Sequence, residues 1–465
     1  MFIGRESELG KLNKMYSGNK FECAIIYGRR RVGKTSLIQE FIKDKKSIYF
    51  LSLETSERVN LENFSKSVWI TANEQIITQP RFSDFMDALE LISDLAEGER
   101  LVLVIDEYPY LAGAVRGMSS MLQAQIDTKL KNTQLFLILC GSSMSFMENQ
   151  VLGYESPLYG RRTAQFKIEP LKFFESVGFH KEYDIFDSAL AYGVTGGIPH
   201  YLSQIDSTIP LKDNIIENFF SPNSYLFEEP SNLLKQELRE PQMYNDIITA
   251  IATGSSRLNE IATKTKLESA VCSKYLRSLL SLGIVKKEQP ILSGNSKMTL
   301  YRLADNMFRF WYRFVPQNIS QIQSGAGKKV FESIEPQISA FMGDVFEDIC
   351  RQYLWRENIA ERLPFYFRDA GRWWGTNPQT KSQQEIDIIA FEDARAIFCE
   401  CKWTNEKVKQ DVLHNLIEKS KMFNYADMYY YIFSKSGYSA ECERNLPDNA
   451  KLIKYADMFH PPPAS

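Results

Sequence analysis

Residues 22–36 read ECAIIYGRRRVGKTS. A β-branched, apolar run ends at Gly28, and the stretch Gly28-Arg29-Arg30-Arg31-Val32-Gly33-Lys34-Thr35 satisfies the spacing G-x-x-x-x-G-K-[ST]. A helical pattern follows over 34–43. Strand, glycine turn and helix in that order suit phosphate recognition. The glycines let successive backbone N–H groups curl toward a β-phosphate, and the helix N-terminus adds partial positive charge. Lys34 is then expected to neutralise the β/γ oxygens and Thr35 to coordinate Mg2+. Arg31 and Val32 inside the loop and Ser36 just after it complete the expected contact stretch, so ATP and Mg2+ are the expected cofactors.

Outward from this loop, strand-like runs recur at 47–53, 101–105 (LVLVI) and 135–140 (LFLILC), separated by helical segments. The alternation predicts a parallel sheet covered by helices, an α/β fold. Asp106 and Glu107 end the second run. Asp106 is expected in the Mg2+ shell, with Glu107 orienting or deprotonating the attacking water. Acidic strand ends are common in α/β proteins, and only the loop at 28–35 gives this one chemical meaning. The run at 135–140 leads into Gly141-Ser142-Ser143, where Ser142 either senses a γ-phosphate or simply turns the chain. Arg161 and Arg162 of SPLYGRRT are either an arginine finger offered to another copy in a homo-oligomer or a solvated basic turn. Residues 180–240 read as helical, interrupted by GGIP at 196–199.

The chain of 465 residues is long enough for two to four domains. Its 44% hydrophobic and 24% charged content suits a globular protein, and a net charge of −3 gives no overall attraction to nucleic acid. No apolar run approaches the ~20 residues that cross a bilayer. No signal-peptide pattern opens the chain, and seven scattered cysteines give no disulfide framework, so a cytoplasmic location without membrane partners is expected.

The motifs FIGRESEL, GRRRVGKTS, LVLVIDEYPYL, LILCGSS, SPLYGRRT and TGGIPHYL, in that order over residues 2–202, resemble the archaeal-type ATPase family of the STAND and AAA+ group of P-loop NTPases. The resemblance implies that FIGRE packs near the nucleotide base. It also implies that Gly197 and Pro199 belong to a lid on the adenine side, and that such proteins act as ATP-dependent switches. A GG-x-P turn by itself is an ordinary helix breaker.

Residues 243–303 fit a winged helix, with three short helices and a hairpin around Gly294-Asn295. Val271, Tyr275, Leu279 and Leu282 are spaced as the core face of its third helix. Lys274, Arg277, Lys286, Lys287 and Lys297 fall where contacts to DNA would be made, while Glu260, Glu268 and Glu288 dilute the positive field. The alternative is a regulatory lid that meets no DNA. The segment 318–329, NISQIQSGAGKK, is the expected linker.

The last part reads as a helix (about 337–355), strands at 363–368, 384–391 and 395–402, a helix (406–424) and a strand (428–433). Within EIDIIAFEDARAIFCECKW (385–403), the period of two puts Glu400 and Lys402 on one strand face, and hairpin pairing sets Asp387 across from Glu400 or nearly so. The order of elements resembles restriction-endonuclease-like nucleases of the PD-(D/E)XK type. The resemblance implies that Asp387 and Glu400, with Glu347 on the preceding helix, hold Mg2+ or Mn2+ while Lys402 activates water or stabilises phosphoryl charge. FRFWYRF, GxxFE, GRWWG, EID and FSKSGYS resemble the nuclease-like domain that often follows archaeal-type ATPase domains, which points to DNA as partner and suits a role with mobile DNA. Against this stands an edge hairpin whose charges only prevent aggregation. Cys399 and Cys401 lack a second ligand pair at zinc spacing and read as small strand residues.

The expected architecture is a P-loop ATPase domain (1–180), a helical lid (181–240), a winged helix (241–317), a linker (318–330) and a nuclease-like α/β domain (331–465). Two functions follow: an ATP-hydrolysing switch that cuts nucleic acid, or an ATP-gated DNA- or protein-binding regulator that does not cut.

Overall fold

The computed structural model describes residues 2–72, 81–292, 298–377 and 381–459; the expected turn at Gly294-Asn295 and the wing residue Lys297 lie outside them. The chain divides into two compact units, Met1–Leu171 with Ile198–Tyr201, and Lys172–Gly197 with Leu202–Ser465.

In the first unit, β1 (Glu22–Tyr27), β2 (Ser47–Leu51), β3 (Leu101–Asp106), β4 (Leu135–Gly141) and β5 (Ala164–Lys167) form one parallel sheet in the order β2-β3-β4-β1-β5. Every residue of β1, β3 and β4 is buried, which is why these strands read as continuous apolar runs rather than alternating ones. Side chains such as Ile25, Leu103 and Leu137 pack with Phe64, Leu89 and Leu122 of the covering helices. Because the strands are parallel, the chain leaves β1, β3 and β4 at one edge of the sheet, where a doubly wound sheet binds ligands. The short β5, AQFK, was not anticipated; it alternates buried and exposed at the sheet edge and carries too little pattern to be read.

The second unit begins with the helices Ile185–Thr195, Leu211–Phe219 and Tyr225–Glu237. The winged-helix pattern follows as Pro241–Ala252, Leu258–Thr265 and Ser269–Ser281, with β6 (Val285–Glu288) antiparallel to β7 (Leu300–Leu303). The buried face of the third helix is Cys272, Leu276 and Leu279; Val271 is exposed and Tyr275 half-buried. The expected core face was one residue out of phase at its start, because a single turn of helix does not distinguish Val271 from Cys272.

The segment expected to be a linker is largely helical, with Ile319–Gln323 leading into a 33-residue helix, Gly327–Ile359. Buried Ile322, Val330 and Phe331 anchor this otherwise polar stretch. Gly327 starts the long helix against the Phe220 carbonyl oxygen, where a Cβ would collide. Beyond it, β8 (Asp369–Thr376), β9 (Gln383–Glu392), β10 (Arg395–Lys402), β11 (Asp427–Ser434) and β12 (Ala450–Lys454) form a mixed sheet in the order β12-β11-β10-β9-β8. Helix Gln410–Ser420 joins β10 to β11, which run parallel, while β8-β9-β10 is an antiparallel meander. The strand expected at 363–368 is irregular instead. Pro364 offers no ladder donor, and Phe365 and Phe367 are buried without forming a strand; the sheet is entered only at Arg368, whose N–H donates to Phe391 O.

Candidate functional site

Gly33 is left-handed at φ 92° and caps the helix Lys34–Ile42, so the loop of residues 28–33 closes over that helix's N-terminus. Gly28 is required for another reason: a Cβ there would run into the Ile168 carbonyl oxygen. Lys34 is buried, and its Nζ donates to Gly28 O (2.9 Å) and Arg29 O (3.1 Å), so the ammonium sits inside the loop. Arg31 takes φ 71° and Val32 is fully buried, while Thr35 and Ser36 are exposed at the helix start. Thr35 Oγ1 donates to Asp106 Oδ2 at 2.9 Å, so hydroxyl and β3 carboxylate are already paired. Tyr49 OH donates to the same oxygen at 2.7 Å, a contact no motif announced because Tyr49 stands mid-strand in β2. This hydroxyl-plus-carboxylate donor set fits a hard divalent cation beside a phosphate.

Glu107 adopts φ 52°, and its Oε2 accepts from Ser142 N (3.2 Å) and Ser142 Oγ (2.9 Å). Ser142 therefore holds the carboxylate of Glu107. Pro199 Cγ lies 3.5 Å from where a Cβ on Gly33 would stand, so Pro199 meets the loop; Gly197 is buried. Arg29 Nη2 donates to Tyr201 OH (3.2 Å) and Arg30 Nη2 to Tyr110 OH (2.8 Å), while Arg5 of FIGRE donates to Val32 O and Glu169 O. Arg161 forks onto Asp127 (Nε–Oδ1 3.2 Å, Nη2–Oδ2 2.8 Å), and Arg162 stacks over Tyr159. Both arginines are thus engaged away from the loop of their own chain.

In the C-terminal sheet, the β9-β10 register runs from Arg395 opposite Glu392 to Cys399 opposite Ile388, which makes Asp387 and Glu400 the next facing pair. The ladder stops there, and Asp387 Oδ2 instead accepts the N–H of Cys401 at 2.7 Å. Glu400 is bracketed by two lysines: Lys402 Nζ at 2.6 Å from Oε1 and Lys419 Nζ at 3.6 Å from Oε2. Glu347 lies on the long helix, with Arg372 Nη1 at 3.9 Å; Arg372 also pairs with Glu385. Lys419 and Arg372 were not named as site residues: Lys419 stands in no distinctive local pattern, and Arg372 lies within GRWWG, which was read only as a family motif. The four expected residues divide between two cavities. Glu347 and Asp387 line one of about 310 Å3, and Glu400 and Lys402 line another of about 360 Å3 beside helix Gln410–Ser420.

Burial and the neighbouring Asp387 push the Glu347 carboxyl up to about 8, against the pull of Arg372. Burial and Glu400 raise Asp387 to about 6, despite the Cys401 N–H bond and Lys402. Burial lowers the proton affinity of Lys402, but Glu400 outweighs it and holds the ammonium charged. A buried carboxylate pair that repels itself is the donor chemistry a divalent cation relieves. Among the described residues, however, no three His, Cys, Asp or Glu side chains are gathered around one metal position. The expected Glu347–Asp387–Glu400 ligand set is thus not assembled, because Glu400 turns to its two lysines. Cys399 and Cys401 are buried in β10. Trp373 packs edge-on against Phe423, with ring centroids 5.1 Å apart. No helix among the described residues is long and apolar enough to cross a membrane.

A profile described as "ATPase domain predominantly from Archaea" matches residues 2–205, and one described as "Archaea bacterial proteins of unknown function" matches residues 311–413. The Walker-type ATPase PABY2304 of Pyrococcus abyssi superposes with a TM-score of 0.52 at 22% identity, covering 67% of this chain and 96% of that one, which shows a shared fold. Uncharacterized ATP-binding protein MJ0423 of Methanocaldococcus jannaschii is 50% identical over 46 residues, 10% of this chain and 78% of that protein. Protein MJECL04 of the same organism is 34% identical over 448 residues, 95% of this chain and 97% of that protein. The chain belongs to the family of MJECL04, and its N-terminal part is an ATPase domain of the predominantly archaeal type.

Proposed function

We propose that the protein is an ATP-binding and ATP-hydrolysing switch coupled to a metal-dependent nuclease-like domain that acts on DNA. We read it as an ATPase domain (1–180), a helical lid (181–240), a winged helix (241–317) and a nuclease-like domain from 331, with helix in place of a flexible connection at 318–330. The observation that carries the ATPase half is the Lys34 ammonium inside its loop beside the Thr35–Asp106 pair. Lys34 exchanges its two carbonyl partners for β/γ-phosphate oxygens, and Thr35 and Asp106 hold Mg2+. Bound Mg2+ supplies charge neutralisation between the β- and γ-phosphates. Glu107, aimed by Ser142, takes the proton of the attacking water. Pro199, which meets the loop at Gly33, covers the adenine side, and Arg161 or Arg162 serves another copy of the chain once released from Asp127 or Tyr159.

The nuclease half is supported by the Asp387–Glu400 juxtaposition with Lys402 in contact, at the end of a helix–meander–helix–strand arrangement. Once Glu400 turned from its lysines, Asp387 and Glu400 with Glu347 would hold Mg2+ or Mn2+, which would polarise the phosphodiester and lower the pKa of water. Lys402 stabilises charge on the phosphoryl oxygens. One observation favours a second reading, an ATP-gated binding regulator that does not cut: Glu400 is already neutralised by Lys402 and Lys419.

Plasmid and linear DNA incubated with Mg2+ or Mn2+, with and without ATP, beside Lys402→Ala and Lys34→Ala separate the two. Metal-dependent cleavage lost in Lys402→Ala is expected. Cleavage absent in every condition, or intact in Lys402→Ala, refutes the nuclease half.

A further inference from the structure

Asp106 is only 2% exposed, and a carboxylate so placed needs hydrogen-bond donors from the protein. Thr35 Oγ1 donates to its Oδ2 at 2.9 Å, the Glu107 N–H donates to its Oδ1 at 2.9 Å, and the Cys140 thiol of β4 lies against it. The remaining donor is Tyr49, whose hydroxyl meets Oδ2 at 2.7 Å. Strand register explains why this residue is a tyrosine. Asp106 stands opposite Leu51, which has nothing to donate, while Tyr49 stands opposite Val104, two residues back on the same face of the sheet. That diagonal is a reach for an aromatic side chain, and a serine or threonine at 49 would stop short. Ile48 and Phe50 turn to the other face and pack in the core, so Tyr49 is free to lean toward the strand ends. Gln39, on the helix that starts at Lys34, lies beside the same hydroxyl, which places the phenol between that helix and β3.

We propose that Tyr49 is a positioning residue of the ATPase: its hydroxyl fixes the Asp106 carboxylate against Thr35, so that the donor set for Mg2+ is formed before nucleotide arrives. The proposal rests on the ATP-site reading above and adds to it a residue that lies outside every motif. Two hydroxyls on one oxygen fill the lone pairs of Oδ2. The Thr35 oxygen keeps its own lone pairs for the cation, and Asp106 acts from Oδ1 and through its charge. Without the phenol, Oδ2 loses one of two donors, and the carboxylate can turn about its Cβ–Cγ bond and take the Thr35 hydroxyl with it. Tyr49 does this as a donor, the state a phenol keeps at neutral pH. It acts through Asp106 alone and does not touch nucleotide. The competing role is that the hydroxyl only solvates a buried carboxylate and steadies β2 at the sheet edge.

The test uses the full chain, Tyr49→Phe, Asp106→Asn and the double variant. Calorimetry reads the affinity for a non-hydrolysable ATP analogue in saturating Mg2+ and again in EDTA, and a thermal melt reads stability. Tyr49→Phe should weaken binding about tenfold in Mg2+ and less than about twofold in EDTA, because only the cation-linked part of the affinity passes through Asp106. In the Asp106→Asn chain the same substitution should change affinity in Mg2+ by less than about twofold, since the route is already cut. A loss equal in Mg2+ and EDTA, or failure of Tyr49→Phe to fold, assigns the hydroxyl to stability and overturns the proposal. No loss in either condition, or a full effect kept in the Asp106→Asn chain, overturns it too. A parent chain that binds the analogue in neither condition overturns the ATP-site reading and this role with it, whereas the other failures leave that reading standing.

Discussion

Asp348, one residue after Glu347 on the long helix, gathers Lys286 of β6 (3.5 Å), Arg309 (3.7 Å) and Arg351 (2.6 Å), and this charge hub makes a quantitative prediction about the wing, β6-β7. Burial alone would raise its carboxyl, yet Lys286, Arg351 and Arg309 outweigh burial and pull it from 3.8 to about 2. At one pKa unit per 1.36 kcal/mol, that depression corresponds to about 2 kcal/mol of preference for the ionised carboxylate, shared among three cations of which Lys286 alone belongs to the wing. The sign follows from the direction: a depressed carboxylate contributes above its unfolded value near 4, and the contribution is lost as pH falls through the folded value near 2. Asp348→Asn removes the charge with little change in shape. Hydrogen exchange at the Ile291 amide, which donates to Arg372 O, reports local opening of the wing. If opening of the wing breaks the Lys286–Asp348 contact, the variant should exchange several-fold faster at pH 7. The same comparison by intact-domain unfolding should show the difference between parent and variant shrinking toward zero between pH 4 and pH 2. An Ile291 amide that exchanges at the same rate in both proteins at pH 7 would refute the claim that this hub holds the wing.

Other parts of the account give shorter tests. Lys34→Ala loses charge-assisted bonds of about 1.5–3 kcal/mol each, so ATP affinity by calorimetry should fall at least roughly tenfold per bond lost, and unchanged affinity would contradict the loop assignment. Ser142→Ala removes one of the two donors on Glu107 and should lower kcat for ATP by about tenfold with little change in KM. Gly28→Ala drives a methyl into the Ile168 carbonyl and should cost about 1–3 kcal/mol, read as a lower Tm of the ATPase unit. Glu347 keeps its proton in the fold to about 8 because of burial and Asp387, whereas the unfolded chain releases it near 4.5, so stability should fall as pH rises through that window. Glu347→Gln should flatten that part of the thermal-stability profile.

The ATPase half was legible because its signals are local. A buried parallel strand, a glycine-bounded loop and a helix start are contiguous in sequence, and Asp106 sits where LVLVI must end. The hairpin 384–402 was legible for the same reason, since period two and the turn at Asp393 fix the register that brings Asp387 to Glu400. What was not legible depends on contacts remote in sequence. The helical character of 319–359 comes from Ile322, Val330 and Phe331 finding a core, which outweighs the Gly/Ser composition. The docking of Lys286 on Asp348 joins residues on two modules that sequence reasoning treated separately. Lys419 reaches Glu400 only because helix Gln410–Ser420 covers that face of the sheet, which turns a catalytic candidate toward a pair of lysines.

The central claim is that Asp387 and its neighbours break phosphodiester bonds with a divalent cation. Its most direct measurement is the single-turnover cleavage rate of end-labelled linear DNA at pH 8 as Mg2+ is raised, for the parent chain and Asp387→Asn. The account predicts a rate that climbs with Mg2+ and saturates in the parent, and falls at least about 100-fold in the variant. Equal rates in the two proteins, or no cleavage by the parent at any Mg2+ concentration, would contradict it.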